Sequence, residues 1–341
     1  MHFLYLIIYL GICSIAYSIN NKYTNCYLFA VSVPIIYLMG FRSLDMGVDT
    51  WTYYTVFEYA KNTPWRNLGS YYGFIEIGYL YINKLFSVFS DNYYHFQILS
   101  AIVYCLGWAI FIKRAKPENA VLLFVLFLGL DLYFQAWNIT RQMLTVMIGA
   151  CCLPIFNSKK TILSFCIIVL LSLIHTSSIL YVFIILFNRV PKSFQKYLPI
   201  FLVLFVIFFN SAMSISSYFF GRYEDFYNND LDHDYKLGMS LYLYIIIFLL
   251  SAMSFFLNKK SDEKQRNAFF SLFSIICILL GLQMNYMERV GFLFIPFTML
   301  TLTDLCSNIK DRNFRVIYKL GLILIMFLFF YLRTPDKYST F

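Results

Sequence analysis

Charged side chains are scarce in this chain: 13% of its 341 residues are Asp, Glu, Lys or Arg, against 60% hydrophobic, and the mean hydropathy is +0.66. A soluble domain of this length keeps far more charge on its surface, so the composition excludes that class. Cysteine occurs eight times (13, 26, 105, 151, 152, 166, 277, 306), without a CxxC spacing and without histidines at ligand distance in sequence. The zinc and redox classes therefore fall away, and the cysteines read as small core hydrophobes. No DxD-like pair or other metal-ligand spacing stands out, so no divalent ion and no other cofactor is expected. A basic n-region and a small-residue cleavage site are both missing around the apolar run Phe3–Ile19. That run reads as a first spanning helix, with nothing cleaved. The net charge of +9 does not call for a nucleic-acid partner, because the basic residues sit in short clusters between apolar segments, where they set membrane orientation.

What is present in quantity is apolar sequence in continuous rather than alternating runs, several of them reaching the ~17–25 residues that a helix needs to cross a bilayer. The class is an all-α polytopic integral membrane protein, expected as a single membrane domain over 1–341. Spans are expected near 3–19, 26–41, 95–113, 120–137, 142–156, 161–174, 176–187, 198–210, 239–257, 267–286, 288–305 and 316–332, twelve crossings in all, with an amphipathic piece at 76–90. Placing the segments around Lys22, Lys113–Lys116, Lys159–Lys160, Arg189–Lys196, Lys259–Arg266 and Lys310–Lys319 in the cytoplasm puts 17 of the 27 basic residues inside, with only 5 of the 18 acidic ones. Both termini and two loops, about 42–94 and 211–238, then face outward. The chemistry is expected on that side.

The stretch 170–183, LLSLIHTSSILYVF, sets His175 in the middle of an apolar run whose two flanks are both basic (Lys159, Lys160; Arg189, Lys192). Both flanks prefer the cytoplasm. Two short helices meeting near His175 satisfy them, as a broken or re-entrant pair whose turn is shielded by protein. His, Thr and Ser can instead simply bond a neighbouring helix.

Other polar residues gather at the same level. GFRSLDMGVDTWTYYTVF (40–57) holds Arg42, Asp45 and Asp49, which could form a local ion-pair cluster. WNITRQML places Asn138, Arg141 and Gln142 at i, i+3 and i+4, so all three are expected to project from one helical face. An arginine between two apolar runs presents a planar, permanently charged fork suited to phosphate, unless it is paired with an acid such as Asp131 or Glu288. Asn285, Glu288 and Arg289 repeat the pattern in MNYMERVGFLF, and Glu76, Tyr79 and Asn83 form a polar stripe on an otherwise apolar helix. Arg222 lies in GRYEDFYNNDLDHDYK, whose acids, tyrosines and asparagines suit sugars, though a solvated loop has the same composition. Together these arginines and His175 would suit a large polyanionic headgroup.

The segment Arg42 to Tyr54 including Asp49, Glu76 to Tyr79, Arg141-Gln142, His175 to Ser177, and Arg289 follow one another in the order of a known set of motifs. Over roughly residues 40–300 the chain resembles the EpsG-like group of bacterial Wzy-type polysaccharide polymerases. The resemblance implies a fold related to the GT-C glycosyltransferases. It also implies an O-antigen or exopolysaccharide polymerase that moves a growing glycan from undecaprenyl diphosphate onto a lipid-linked repeat unit, at the outer face of the inner membrane. Donor and acceptor are then undecaprenyl-diphosphate-linked oligosaccharides in membrane lipid, and a chain-length regulator and a flippase are the implied protein partners. On this reading His175, Arg141, Arg289 and Asp49 are catalytic, and Arg42, Glu76, Asn138, Gln142, Arg222 and Tyr54 bind substrate. His175 takes the acceptor proton, with Asp49 and Glu76 as substitutes, while arginines hold the diphosphate, a leaving group good enough to depart without a metal. A flippase for the same lipid-linked sugars, an O-antigen ligase and a non-catalytic scaffold are the competing readings. The absence of an internal repeat and the one-sided polar groups argue against transport.

Overall fold

The computed structural model describes residues 2–47, 49–70, 75–195, 197–202, 204, 206–208, 237–258, 261–281 and 285–332. These are helical throughout, with no strand among the described residues. The loop 211–236, and with it Arg222, lies outside them. The chain divides into two compact units, one formed by residues 1–185 with 311–341 and the other by 186–310.

The first unit opens with a hairpin of α1 (His2–Ile19) and α2 (Thr24–Gly40), where Tyr17 stacks on Tyr27 at 4.6 Å. After α2 come α3 (Thr50–Asn62), α4 (Ile77–Ser87) and α5 (Tyr93–Ala115). At 1.5 Å per residue α3 and α4 rise only ~20 and ~16 Å, too short to cross ~30 Å of hydrocarbon. They pack instead on a cluster of Tyr53, Val56, Phe57, Tyr79, Leu80, Tyr93 and Phe96. The region 42–94 is therefore more than a loop with one amphipathic helix, since α3 adds a second buried face.

Helices α6 (Ala120–Gly129) and α7 (Leu132–Asn138) meet at a 42° bend, where Asp131 adopts the left-handed conformation (φ 68°). A second break follows at Ile139, before α8 (Thr140–Phe156). The Thr140 hydroxyl donates to the Ala136 carbonyl at 2.8 Å, taking the acceptor that its own backbone N–H would use in a continuous helix. The expectation that Asn138, Arg141 and Gln142 share one helical face is thereby corrected: Asn138 ends α7, and the other two begin α8.

Helix α9 (Thr161–Ile174) stops at His175, which is extended (φ −152°, ψ 116°), and a 3₁₀ segment Thr176–Tyr181 leads into α10 (Val182–Phe187). The start of α9 is tied to the end of α8, with the Ser164 hydroxyl on the Ile155 carbonyl at 3.2 Å. His175 reaches the level of Arg141, through their shared contact with Glu76. Tyr181 then packs back against Phe156, at 5.5 Å between ring centroids, and its hydroxyl donates to the Thr145 carbonyl at 3.4 Å. The chain reverses at the HTSS turn, as two basic flanks on one side require.

The last helix, which follows the second unit in sequence and is numbered α15 (Arg312–Leu332), covers α6 and α7, with Phe330 stacked on Phe134 at 5.2 Å. The second unit holds the short α11 (Lys192–Gln195) and a bundle of α12 (Leu237–Leu257), α13 (Asp262–Leu280) and α14 (Asn285–Asn308). Hydroxyls stitch the bundle: Ser251 to Ser271 at 2.7 Å, Ser271 to Thr298 at 3.1 Å, and Ser274 to the Gly291 carbonyl at 2.8 Å. Such bonds are the usual glue between helices in hydrocarbon.

Against the twelve expected crossings, three helices among the described residues are long and apolar enough to span: Tyr93–Ala115, Met287–Asn308 and Arg312–Leu332. The bent pair over 117–138 makes a fourth, and the other apolar helices run to 10–17 residues. Breaks at Asp131, Ile139 and His175 account for part of the shortening. The result is an all-helical, multi-pass membrane architecture.

Candidate active site

Five segments of the first unit converge on one point. Glu76 stands just ahead of α4, and rather than capping that helix its carboxylate reaches outward. One oxygen, Oε2, takes an ion pair from Arg141 Nη1. The other, Oε1, accepts from the Thr176 backbone N–H at 2.9 Å and from the Thr176 hydroxyl at 3.2 Å. His175 Nδ1 lies 3.2 Å from the same Oε1, but off the ring N–H direction, so the contact is a close electrostatic one rather than an aligned hydrogen bond. The acid that neutralises Arg141 is thus Glu76, in place of the Asp131 or Glu288 considered from sequence.

Side-chain exposures of 15–16% put all three groups in a partly desolvated setting, where a charge left alone is costly. Glu76 lies outside any spanning segment. Burial pushes its carboxyl up, but the His175 contact, the Arg141 charge and the Thr176 N–H together outweigh it and hold the pKa at about 2. Glu76 is therefore an anion at neutral pH, held by partners on both of its oxygens.

Close backbone approach makes the arrangement possible. A Cβ on Gly78 would stand 2.5 Å from the Leu173 carbonyl oxygen, so only glycine lets α4 press against α9 just below the turn. Gly47 (φ 97°) does the same for the segment before α3: its missing Cβ would meet the Trp137 carbonyl at 2.8 Å and Asn138 Oδ1 at 3.2 Å. Asp49 is the residue just ahead of α3. One turn along α3, Tyr53 is buried and hydrogen-bonds with Arg141, whose guanidinium also lies 5.9 Å from the centre of the Tyr79 ring. Gln142, next in sequence, is buried.

The sequence points to Tyr54, whereas the structure brings its neighbour Tyr53 to Arg141. Tyr54 turns the other way, packing edge-on against Trp51 (5.7 Å) and Tyr93 (5.6 Å). The spacing carries the signal: Tyr53 lies four residues after Asp49, one helical turn along α3. Thr176 was also overlooked as a partner of Glu76.

Arg42, expected from sequence to bind substrate, is held by partners within the protein. It is 2% exposed and donates to the carbonyls of Met39 (2.6 Å) and Trp137 (3.4 Å), with the Trp137 ring 5.7 Å away. Its own carbonyl accepts from Gln97 at 2.9 Å. It ties α2 to α7, at the wall of a small cavity with room for about one water, lined by Arg42, Tyr79, Tyr93, Gln97, Ser100 and Thr140. Asp45 is exposed and accepts from Trp51 Nε1 at 3.3 Å. Arg289 belongs to the first turn of α14 in the second unit, half-buried beside Glu288.

Among known families, the EpsG family matches residues 25–340, nearly the whole chain. Searches of curated proteins and of solved structures found no match.

Proposed function

Because the chain belongs to the EpsG family and is a membrane protein of the polysaccharide-polymerase type, we propose that it lengthens a glycan carried on undecaprenyl diphosphate. The growing glycan is transferred from that carrier onto the terminal sugar of an incoming lipid-linked repeat unit, at the outer, periplasmic face of the inner membrane. One observation carries this reading: a cation, an anion and an imidazole from three distant segments meet in one partly desolvated place. An acceptor hydroxyl attacks the anomeric carbon of the donor as its bond to the diphosphate oxygen breaks. The departing diphosphate keeps the electron pair, and Arg141 stabilises the charge that develops there. The acceptor proton goes to His175, with Asp49 as the alternative acceptor. Diphosphate is a good enough leaving group for the reaction to run without a metal. A GT-C-like arrangement, a chain-length regulator and a flippase that delivers repeat units complete the proposal.

The test is direct. Purified protein incubated with an undecaprenyl-diphosphate-linked repeat unit should give a ladder of products, each longer by one unit. Movement of the intact lipid across a vesicle bilayer with no ladder would establish the flippase reading instead, and transfer only onto lipid A core would establish the ligase.

A further inference from the structure

We infer that Glu76 is a positioning residue that joins Arg141 to His175, so that the leaving-group side and the proton side of the site act as one unit. This rests on the reading of the site as a glycosyl-transfer centre, and it differs from the substrate-binding role that the sequence suggested for Glu76. Three observations carry it. The two carboxylate oxygens face different segments, Oε2 toward Arg141 on α8 and Oε1 toward His175 and Thr176 at the turn after α9. Both oxygens are thus engaged within the protein, which leaves a sugar hydroxyl little to bind. Finally, Glu76 is delivered from α4, whose approach to α9 is fixed at Gly78, so the carboxylate has a defined place.

The chemical consequence follows from the charges. The carboxylate 3.2 Å from Nδ1 occupies that edge of the ring, which leaves Nε2 as the nitrogen that can meet the acceptor hydroxyl. The same anion restrains the Arg141 guanidinium, with Tyr53 and Tyr79 on its other sides. Loss of Glu76 should therefore affect the chemical step more than substrate capture.

Polymerisation rates and melting temperatures of Glu76→Gln, Glu76→Asp, Arg141→Lys and the Glu76→Gln/Arg141→Lys double variant test this in one preparation. Glutamine keeps the acceptor for the Thr176 N–H but loses the charge. Expected is a fall in kcat of about 10–100-fold, the usual loss for an orienting partner, with KM within about twofold. The solvent deuterium isotope effect on kcat should rise, since the proton step has been weakened. Aspartate should recover part of the rate, and in the Arg141→Lys background the Glu76→Gln loss should shrink to under about threefold. A rise in KM at unchanged kcat would assign Glu76 to substrate and overturn the inference. So would losses that multiply independently, an unchanged isotope effect, or a rate that follows melting temperature and returns on cooling, which is the signature of a mere staple. If the unaltered protein makes no ladder at all, the function reading falls first and takes this inference with it.

Discussion

Replacing Glu76 by glutamine gives a stability measurement that needs no knowledge of substrate. The carboxyl is held at about 2, well below the ordinary carboxylate range, and with solvent screening at this partly exposed group allowed for, that depression corresponds to roughly 2 kcal/mol of folding free energy. Because the folded value is the lower one, that contribution is complete above pH ~4.5 and disappears as pH falls through ~2. Glutamine imitates the protonated acid, leaving Arg141 without its counter-charge at every pH. At pH 7 the variant should melt roughly 5 °C lower. On acidification the two curves should converge between pH ~4.5 and ~2, with the other carboxylates cancelling in the difference. Tryptophan fluorescence in detergent suits the purpose, since Trp108 and Trp137 are both buried and report loss of the packed interior. Equal melting temperatures at pH 7, or a gap that stays constant down to pH 2, would refute the ion pair as the cause of the depressed pKa.

Arg141→Lys keeps the charge but loses the planar fork that meets both Glu76 and a diphosphate, so polymerisation should fall at least about tenfold at unchanged membrane levels; full activity would argue for a general electrostatic field. Tyr53→Phe removes a hydroxyl bonded to Arg141 and should slow polymerisation several-fold, whereas Tyr54→Phe, whose ring contacts survive, should not. Gly78→Ala drives a methyl into the Leu173 carbonyl, a backbone atom that cannot rotate away, and should cost about 1–3 kcal/mol in the melting curve along with activity.

Much of the helical layout was readable because apolar runs set it: α1, α2, α9 and α15 begin and end within a few residues of the expected bounds. The break at His175 was readable for a different reason, since two basic flanks cannot both reach the cytoplasm through one crossing. Helix α3 was not, because Thr50–Asn62 mixes threonines, tyrosines and an acid with only a few aliphatics, and its helical state depends on packing against Tyr79, Tyr93 and Phe96. The break at Ile139 was hidden as well, for it arises from one threonine hydroxyl competing with its own backbone. The site was half legible. Glu76, Arg141 and His175 stood out as ionisable groups in apolar surroundings, but their pairing joins positions 65 and 99 residues apart along the chain, and nothing local encodes which acid meets which arginine. The carbonyl partners of Arg42 are unreadable for a related reason, since a buried arginine bonding backbone looks, in sequence, like one awaiting a phosphate.

His175 offers the sharpest separation between chemistry and architecture. Its backbone N–H bonds the Leu171 carbonyl at 2.9 Å and its carbonyl accepts from Ser178 at 3.0 Å, so the main chain forms the turn without help from the imidazole. Thr176 supplies the hydrogen bonds to Glu76 Oε1, and these remain when the ring is removed. His175→Gln should therefore fold and melt near the unaltered protein while losing chain growth, because an amide cannot take a proton at neutral pH. Donor binding, measured separately with the lipid-diphosphate substrate, should stay within about twofold, since in the proposed mechanism Arg141 and not His175 meets the diphosphate. His175→Ala should lose activity to the same degree and lower the melting temperature as well, as truncating a side chain only 15% exposed leaves a void. An active, stable glutamine variant would remove the imidazole from the reaction. The acceptor proton would then have to go to Asp49, and Asp49→Asn would become the variant in which chain growth stops.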